Sequence, residues 1–291
     1  MREKFNELLK GEIIRLNTKL VGTELMARTD RIPTRLNEYG YDPFGFRPEI
    51  IRYILSVGLA LYKYYWRVET HGIENIPPKG RVLLVSNHAG QLPWDGFLIG
   101  LSVFMEAREP RVLRSMVEKW APTLPFAWQL LTRLGQIVGT PENCRRLLEE
   151  DEAILVFPEG VGGMSKLFVN RYQLQNFGHG FMRLALQTKT PIVPIAVIGS
   201  EEHCPSLYNF RRLGKLFGAP AFPITPTFPF LGPIGIMPYP VKVRVWFGEP
   251  MEFTGHPDED DPIIEKKVQT VKSTIQSMVQ RGLAERKHVF W

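Results

Sequence analysis

Two cysteines in 291 residues, Cys144 and Cys204, are too few and too far apart for a disulfide framework or a cysteine-rich metal site. A reducing compartment on the cytoplasmic side is the expectation. Long hydrophobic runs are also missing. A spanning helix needs about 20 predominantly apolar residues, and the best candidate, 50–66, is interrupted by Arg52 and Lys63. Residues 1–10 alternate charged and apolar side chains instead of forming a continuous apolar core, so no secretory signal is expected and the mature chain is expected to start near Met1. No internal repeat and no Gly-x-Ser-x-Gly elbow is present, which weighs against a serine esterase of the usual α/β type. Charge is not scarce: 36 Lys and Arg face 30 Asp and Glu, a formal net charge of +6. That balance suits nucleic acid, an anionic membrane surface or a phosphorylated substrate without choosing among them. No nucleic-acid-binding motif supports the first.

With 44% hydrophobic and 23% charged residues, the composition is that of a folded globular chain. Residues 1–68 read as an N-terminal helical segment, with Leu8, Leu9, Ile13 and Leu16 at helical spacing before Pro33, Pro43 and Pro48 interrupt. Tyr62, Tyr64, Tyr65 and Trp66, mixed with Lys63 and Arg67, form an aromatic and basic cluster. Such a cluster suits a headgroup boundary as well as a core.

From His71 the pattern changes to short apolar runs separated by helical stretches. The runs 82–85, 153–157, 192–197 and 241–247 read as strands, so residues 69–291 are expected to form an α/β domain with a mixed, partly parallel sheet flanked by helices. Thr140, Pro141 and Glu142 carry the signature of a helix start. The stretch 220–240 is apolar yet holds seven prolines, which predicts an irregular loop against the core, a membrane or an acyl chain. A surface helix is expected over 262–286, with Ile264, Val268, Val271, Ile275 and Met278 on one face.

Two clusters can carry chemistry. Asn87, His88, Gly90, Pro93 and Asp95 follow directly on the strand 82–85, where functional groups of α/β sheets gather. Asp95 falls in the first turn of the next helix, where the dipole stabilises a carboxylate that can orient a histidine acting as general base. The second cluster, Phe157-Pro158-Glu159-Gly160, ends another strand and opens a glycine-rich run before Lys166 and Arg171, cations available to a phosphate. His179 and the His203-Cys204 pair lack partners at metal spacing and read as structural.

Together these blocks resemble the glycerolipid acyltransferase family, which includes bacterial lysophosphatidic acid acyltransferases. There an Asn-His-x-x-x-x-Asp block carries the catalytic dyad and a Phe-Pro-Glu-Gly block binds the acceptor. Gly135 to Val138 and Pro191 to Ile195 resemble two weaker blocks, so the resemblance spans about 71–252. It implies His88 and Asp95 as catalytic residues. It implies Asn87, Glu159, Gly160, Lys166 and Arg171 as substrate-binding residues. The expected acceptor is a lysophosphatidic acid-like lipid, the donor acyl-CoA or acyl carrier protein, with no metal or cofactor, on the cytoplasmic face of a membrane. Two departures stand out. Six residues separate His88 from Asp95 instead of four, so either the loop bulges, the reading that Gly90 and Pro93 favour, or another group orients the imidazole; and Val161-Gly162 stands where the family often has Thr-Arg. A non-catalytic lipid-binding protein of the same fold and a lipid hydrolase are the alternatives.

Overall fold

The computed structural model describes residues 2–88, 90, 92–123, 127–210, 212, 214 and 222–291. In chain order its helices are α1 (Arg2–Val21), α2 (Thr23–Ala27), α3 (Glu49–Ala60), α4 (Trp94–Glu106), α5 (Ala127–Arg133), α6 (Pro141–Glu149), α7 (Gly160–Met164), α8 (Gly180–Thr188), α9 (Ser200–His203) and α10 (Asp261–Glu285). The strands are β1 (Glu69–His71), β2 (Val82–Ser86), β3 (Leu113–Val117), β4 (Ile137–Val138), β5 (Ala153–Val156), β6 (Ile192–Ile198), β7 (Tyr208–Asn209), β8 (Pro223–Ile224) and β9 (Arg244–Phe247).

Seven strands form one sheet in the order β1-β9-β6-β2-β5-β3-β4, and β7 pairs with β8 in a separate ribbon. Every neighbouring pair in the large sheet is parallel except β6 with β9. Strands covered on both faces read as continuous apolar runs, and β2 and β6 are buried at every residue. Pro194 sits inside β6, an unusual place for a residue without an N–H. The ladder to β9 begins only at Ile195 opposite Phe247, and Ile192 pairs next with Met251. Pro194 therefore lies where that ladder is interrupted, its carbonyl accepting from the Gly248 N–H at 2.8 Å.

Two apolar layers close the sheet. On one face Leu83, Val85, Ile154 and Ala196 pack with α6, α8 and α10, whose Ile264, Val268, Val271 and Ile275 are fully buried. On the other, Leu84, Leu155, Val193 and Ile195 pack with Leu98, Ile99 and Val103 of α4 and with Trp66. The N-terminal helices add a third cluster, in which Met26 and Leu55 meet Phe104 of α4. Asn17 of α1 donates to the Tyr53 carbonyl at 3.1 Å, and Arg28 donates to the carbonyls of Phe104 and Ala107.

The helix start at Thr140 is formed as the sequence suggests, with the Asn143 N–H donating to the Thr140 hydroxyl at 3.2 Å. Within the described part of 220–240 the chain holds only β8 and one turn of 3-10 helix at Gly232–Ile236; Pro220 lies outside the described residues. No helix among the described residues is long and apolar enough to cross a membrane.

Candidate active site

Parallel β2 and β5 lie side by side, with Val85 opposite Val156, so the chain leaves both strands at the same end of the sheet. His88 and Glu159 thereby come together although 71 positions separate them: the His88 N–H donates to Glu159 Oε1 at 2.9 Å. Asn87 is buried and uses both ends of its carboxamide on Val197 of β6, donating at 3.0 Å and accepting at 2.8 Å. That bond pair stitches the loop after β2 to the neighbouring strand. Gln175 donates its N–H to the other oxygen of Glu159, Oε2, at 2.7 Å.

The long His-Asp spacing is bridged. His88 Nδ1 lies 2.7 Å from Asp95 Oδ2, and Asp95 Oδ1 accepts the Gly96 N–H at 2.7 Å in the first turn of α4. Gly90 supplies the bulge, with φ of 76°, a left-handed conformation that L side chains adopt at a cost. A Cβ there would lie 2.9 Å from the Ser200 carbonyl oxygen. With Nδ1–H donated to the carboxylate, Nε2 carries the lone pair available for a proton. Burial works against the charged imidazole, but the Asp95 carboxylate outweighs it and holds the His88 pKa above the usual histidine value. The ring stacks on Phe157 with centroids 4.3 Å apart.

Gly163 allows α7 to press against the histidine: a Cβ at this position would fall 2.7 Å from the Glu159 Cβ and 3.0 Å from both the Cβ and the carbonyl oxygen of His88. Neither Gly163 nor Phe157 was marked by the sequence as a neighbour of the histidine, because long-range packing has no local signature. Gly160 adopts φ of 52° with the Glu118 carboxylate beside it. Backbone amides near Gly90 are the expected oxyanion donors, and of these Ala89 and Gln91 lie outside the described residues.

Lys166 and Arg171, the expected phosphate contacts, are placed differently. Lys166 is buried between two carboxylates, 3.4 Å from Glu159 Oε2 and 3.2 Å from Glu201 Oε1. Burial pushes the Glu201 carboxyl up to about 7 against the opposing pull of Lys166. Glu201 was not singled out in the sequence, since the Glu201-Glu202 pair after a strand reads as an ordinary helix start. Arg171 is exposed, with its guanidinium 4.6 Å from the ring of Phe168 and 3.4 Å from that residue's carbonyl oxygen.

Beside Asp95, Gly96 and Gly100 of α4 face Gly58 and Leu55 of α3 and Ser115 of β3 across an apolar cavity of ≈ 100 Å³. Gly96 also approaches Phe157, where a Cβ would lie 3.5 Å from the ring. The cavity thus begins within one ring of the histidine.

Residues 67–198 match the family model described as Acyltransferase. An uncharacterized protein of Mycobacterium leprae (strain TN) is 42% identical over 259 residues, which is 87% of this chain and 71% of that protein. The DGAT1/2-independent enzyme synthesizing storage lipids of Homo sapiens is 25% identical over 217 residues, 73% of this chain and 61% of the human protein. The crystal structure of the 1-acyl-sn-glycerophosphate (LPA) acyltransferase PlsC from Thermotoga maritima superposes with a TM-score of 0.51 at 16% identity, over 99% of this chain and 100% of the other. At that identity the likeness speaks for the fold.

Proposed function

This chain belongs to the glycerolipid acyltransferase family, and we propose that it moves a fatty acyl group from an acyl thioester onto the hydroxyl of a glycerolipid, with His88 as general base. The observation that carries this reading is the contact of His88 with Asp95 at the mouth shared by β2 and β5. Nε2 takes the proton of the acceptor hydroxyl as its oxygen attacks the thioester carbon. When the C–S bond breaks, the thiolate leaves and the imidazolium returns the proton to it. Base catalysis of this kind contributes roughly 10²–10⁴-fold. Asp95 fixes the tautomer and supports the imidazolium that forms.

The donor is acyl-CoA or acyl carrier protein, and the cavity beside Gly96 and Gly100 is suited to the acyl chain. Lysophosphatidic acid is the acceptor that the sequence resemblance suggests. We place residues 1–68 and the loop 222–240 against the cytoplasmic face of a membrane as peripheral contacts. Leu9, Leu16 and Leu20 of α1 and Phe230, Leu231 and Ile234 of the loop are exposed apolar side chains that such a surface would cover.

Thiol release from acyl-CoA, followed with a thiol-trapping dye with and without a glycerolipid acceptor, tests the proposal. Release that depends on the acceptor is expected. Equal release without acceptor would identify a hydrolase instead, and no release with either donor would favour a non-catalytic lipid-binding protein.

A further inference from the structure

Among the described residues beside His88, two backbone amides and the buried cation Lys166 already hold carboxylates of the protein itself, while Arg171 lies exposed over Phe168. The His88 and Gln175 amides point at the two oxygens of Glu159, at 2.9 and 2.7 Å. Lys166, with a side chain only 4% exposed, lies 3.4 Å from the same carboxylate and 3.2 Å from Glu201. One cation and two carboxylates sum to −1 when all are ionised. A third carboxylate, Glu118, lies against Gly160. A phosphomonoester brought to this loop would meet donors in use and three carboxylates, and like charges in a partly buried site disfavour its binding. A glycerol hydroxyl carrying no charge meets no such penalty.

We infer that the acceptor subsite beside His88 takes an uncharged glycerolipid, the free hydroxyl of a mono- or diacylglycerol, in preference to a lysophospholipid bearing a phosphomonoester. This deepens the acyltransfer reading and rests on it. Lys166 is then a positioning residue: it holds Glu159, whose oxygens fix the His88 and Gln175 backbones, and Glu201 completes its pairing from α9.

The test offers radiolabelled acyl-CoA to the full chain in non-ionic detergent micelles, with monoacylglycerol, diacylglycerol or lysophosphatidic acid at equal mole fraction. At least one uncharged acceptor is expected to exceed lysophosphatidic acid by about tenfold or more in kcat/KM. Glu201→Gln removes the negative charge that Glu201 carries beside Lys166 when ionised and, assayed above pH 7, is expected to narrow that ratio several-fold, whereas a merely structural role would lower all acceptors alike. Gly162→Arg is the second variant. Its Cβ would meet no atom within 4 Å, so it adds a cation to α7 without crowding the site. It is expected to raise activity toward lysophosphatidic acid specifically. Preference of the wild type for lysophosphatidic acid, or a ratio unmoved by both variants, would overturn the inference and leave acyl transfer standing. Absence of transfer to all three acceptors would overturn both.

Discussion

His88 is held from three directions: Asp95 at its ring, Glu159 at its backbone and Phe157 across its face. The first contact bears on the pH profile. The proposed mechanism uses His88 as the neutral imidazole and Asp95 raises its pKa, so activity is expected to fall as pH drops through a value above the usual histidine range. In Asp95→Asn the larger raising cause is gone and only Glu159 still raises the His88 pKa, so the acidic limb of kcat/KM is expected to move to lower pH while the plateau drops about 10²-fold or more. A pH series on both proteins reads this, and an unmoved limb would assign it to another group. Asn87 acts differently. Both of its bonds go to Val197, so Asn87→Ala is expected to destabilise the chain by about 1–3 kcal/mol through unpaired buried backbone groups, measured by denaturant unfolding.

At the scale of elements, the glycines of α7 and α4 shape the site. Gly163→Ala inserts a methyl where Glu159 and His88 already stand, and is expected to lower kcat well beyond its effect on folding, seen by comparing rate with unfolding midpoint. Gly100 borders the apolar cavity, and a Cβ there meets no atom within 4 Å. Gly100→Leu is therefore expected to fold and to shift donor preference toward shorter acyl chains, read from a series of acyl-CoA lengths.

Of the seven strands of the sheet, β2, β5, β6 and β9 were legible as short apolar runs of the kind that burial on both faces demands, whereas β1, β3 and β4 were not read as strands. Asp95 was legible through its place in the first turn of α4, and Gly90 through its freedom at positive φ. The company Lys166 keeps was not. Its pairing with Glu201 depends on α9, just after β6, meeting the segment that follows α7, a tertiary event with no local pattern in the sequence. The Leu9, Ile13 and Leu16 stripe was read correctly as helical, yet it stays at the surface while Asn17 turns inward to Tyr53.

For the whole molecule, seven strands gather residues from across the chain at one end of the sheet, and the helices before β1 cover α4 beside the cavity. The exposed apolar side chains of α1 and of the loop 222–240 give the membrane proposal its own test. Leu16→Glu and Phe230→Glu together are expected to reduce sedimentation with anionic liposomes, while activity on a detergent-dispersed acceptor is retained. The central claim is acyl transfer with His88 as base. Its most direct measurement is transfer of radiolabelled acyl groups from acyl-CoA to glycerolipid acceptors by the wild type and by a His88→Ala variant of equal unfolding midpoint. The account predicts labelled product with the wild type and a loss of about 10²-fold or more in the variant; labelled product at equal rates in both would contradict it.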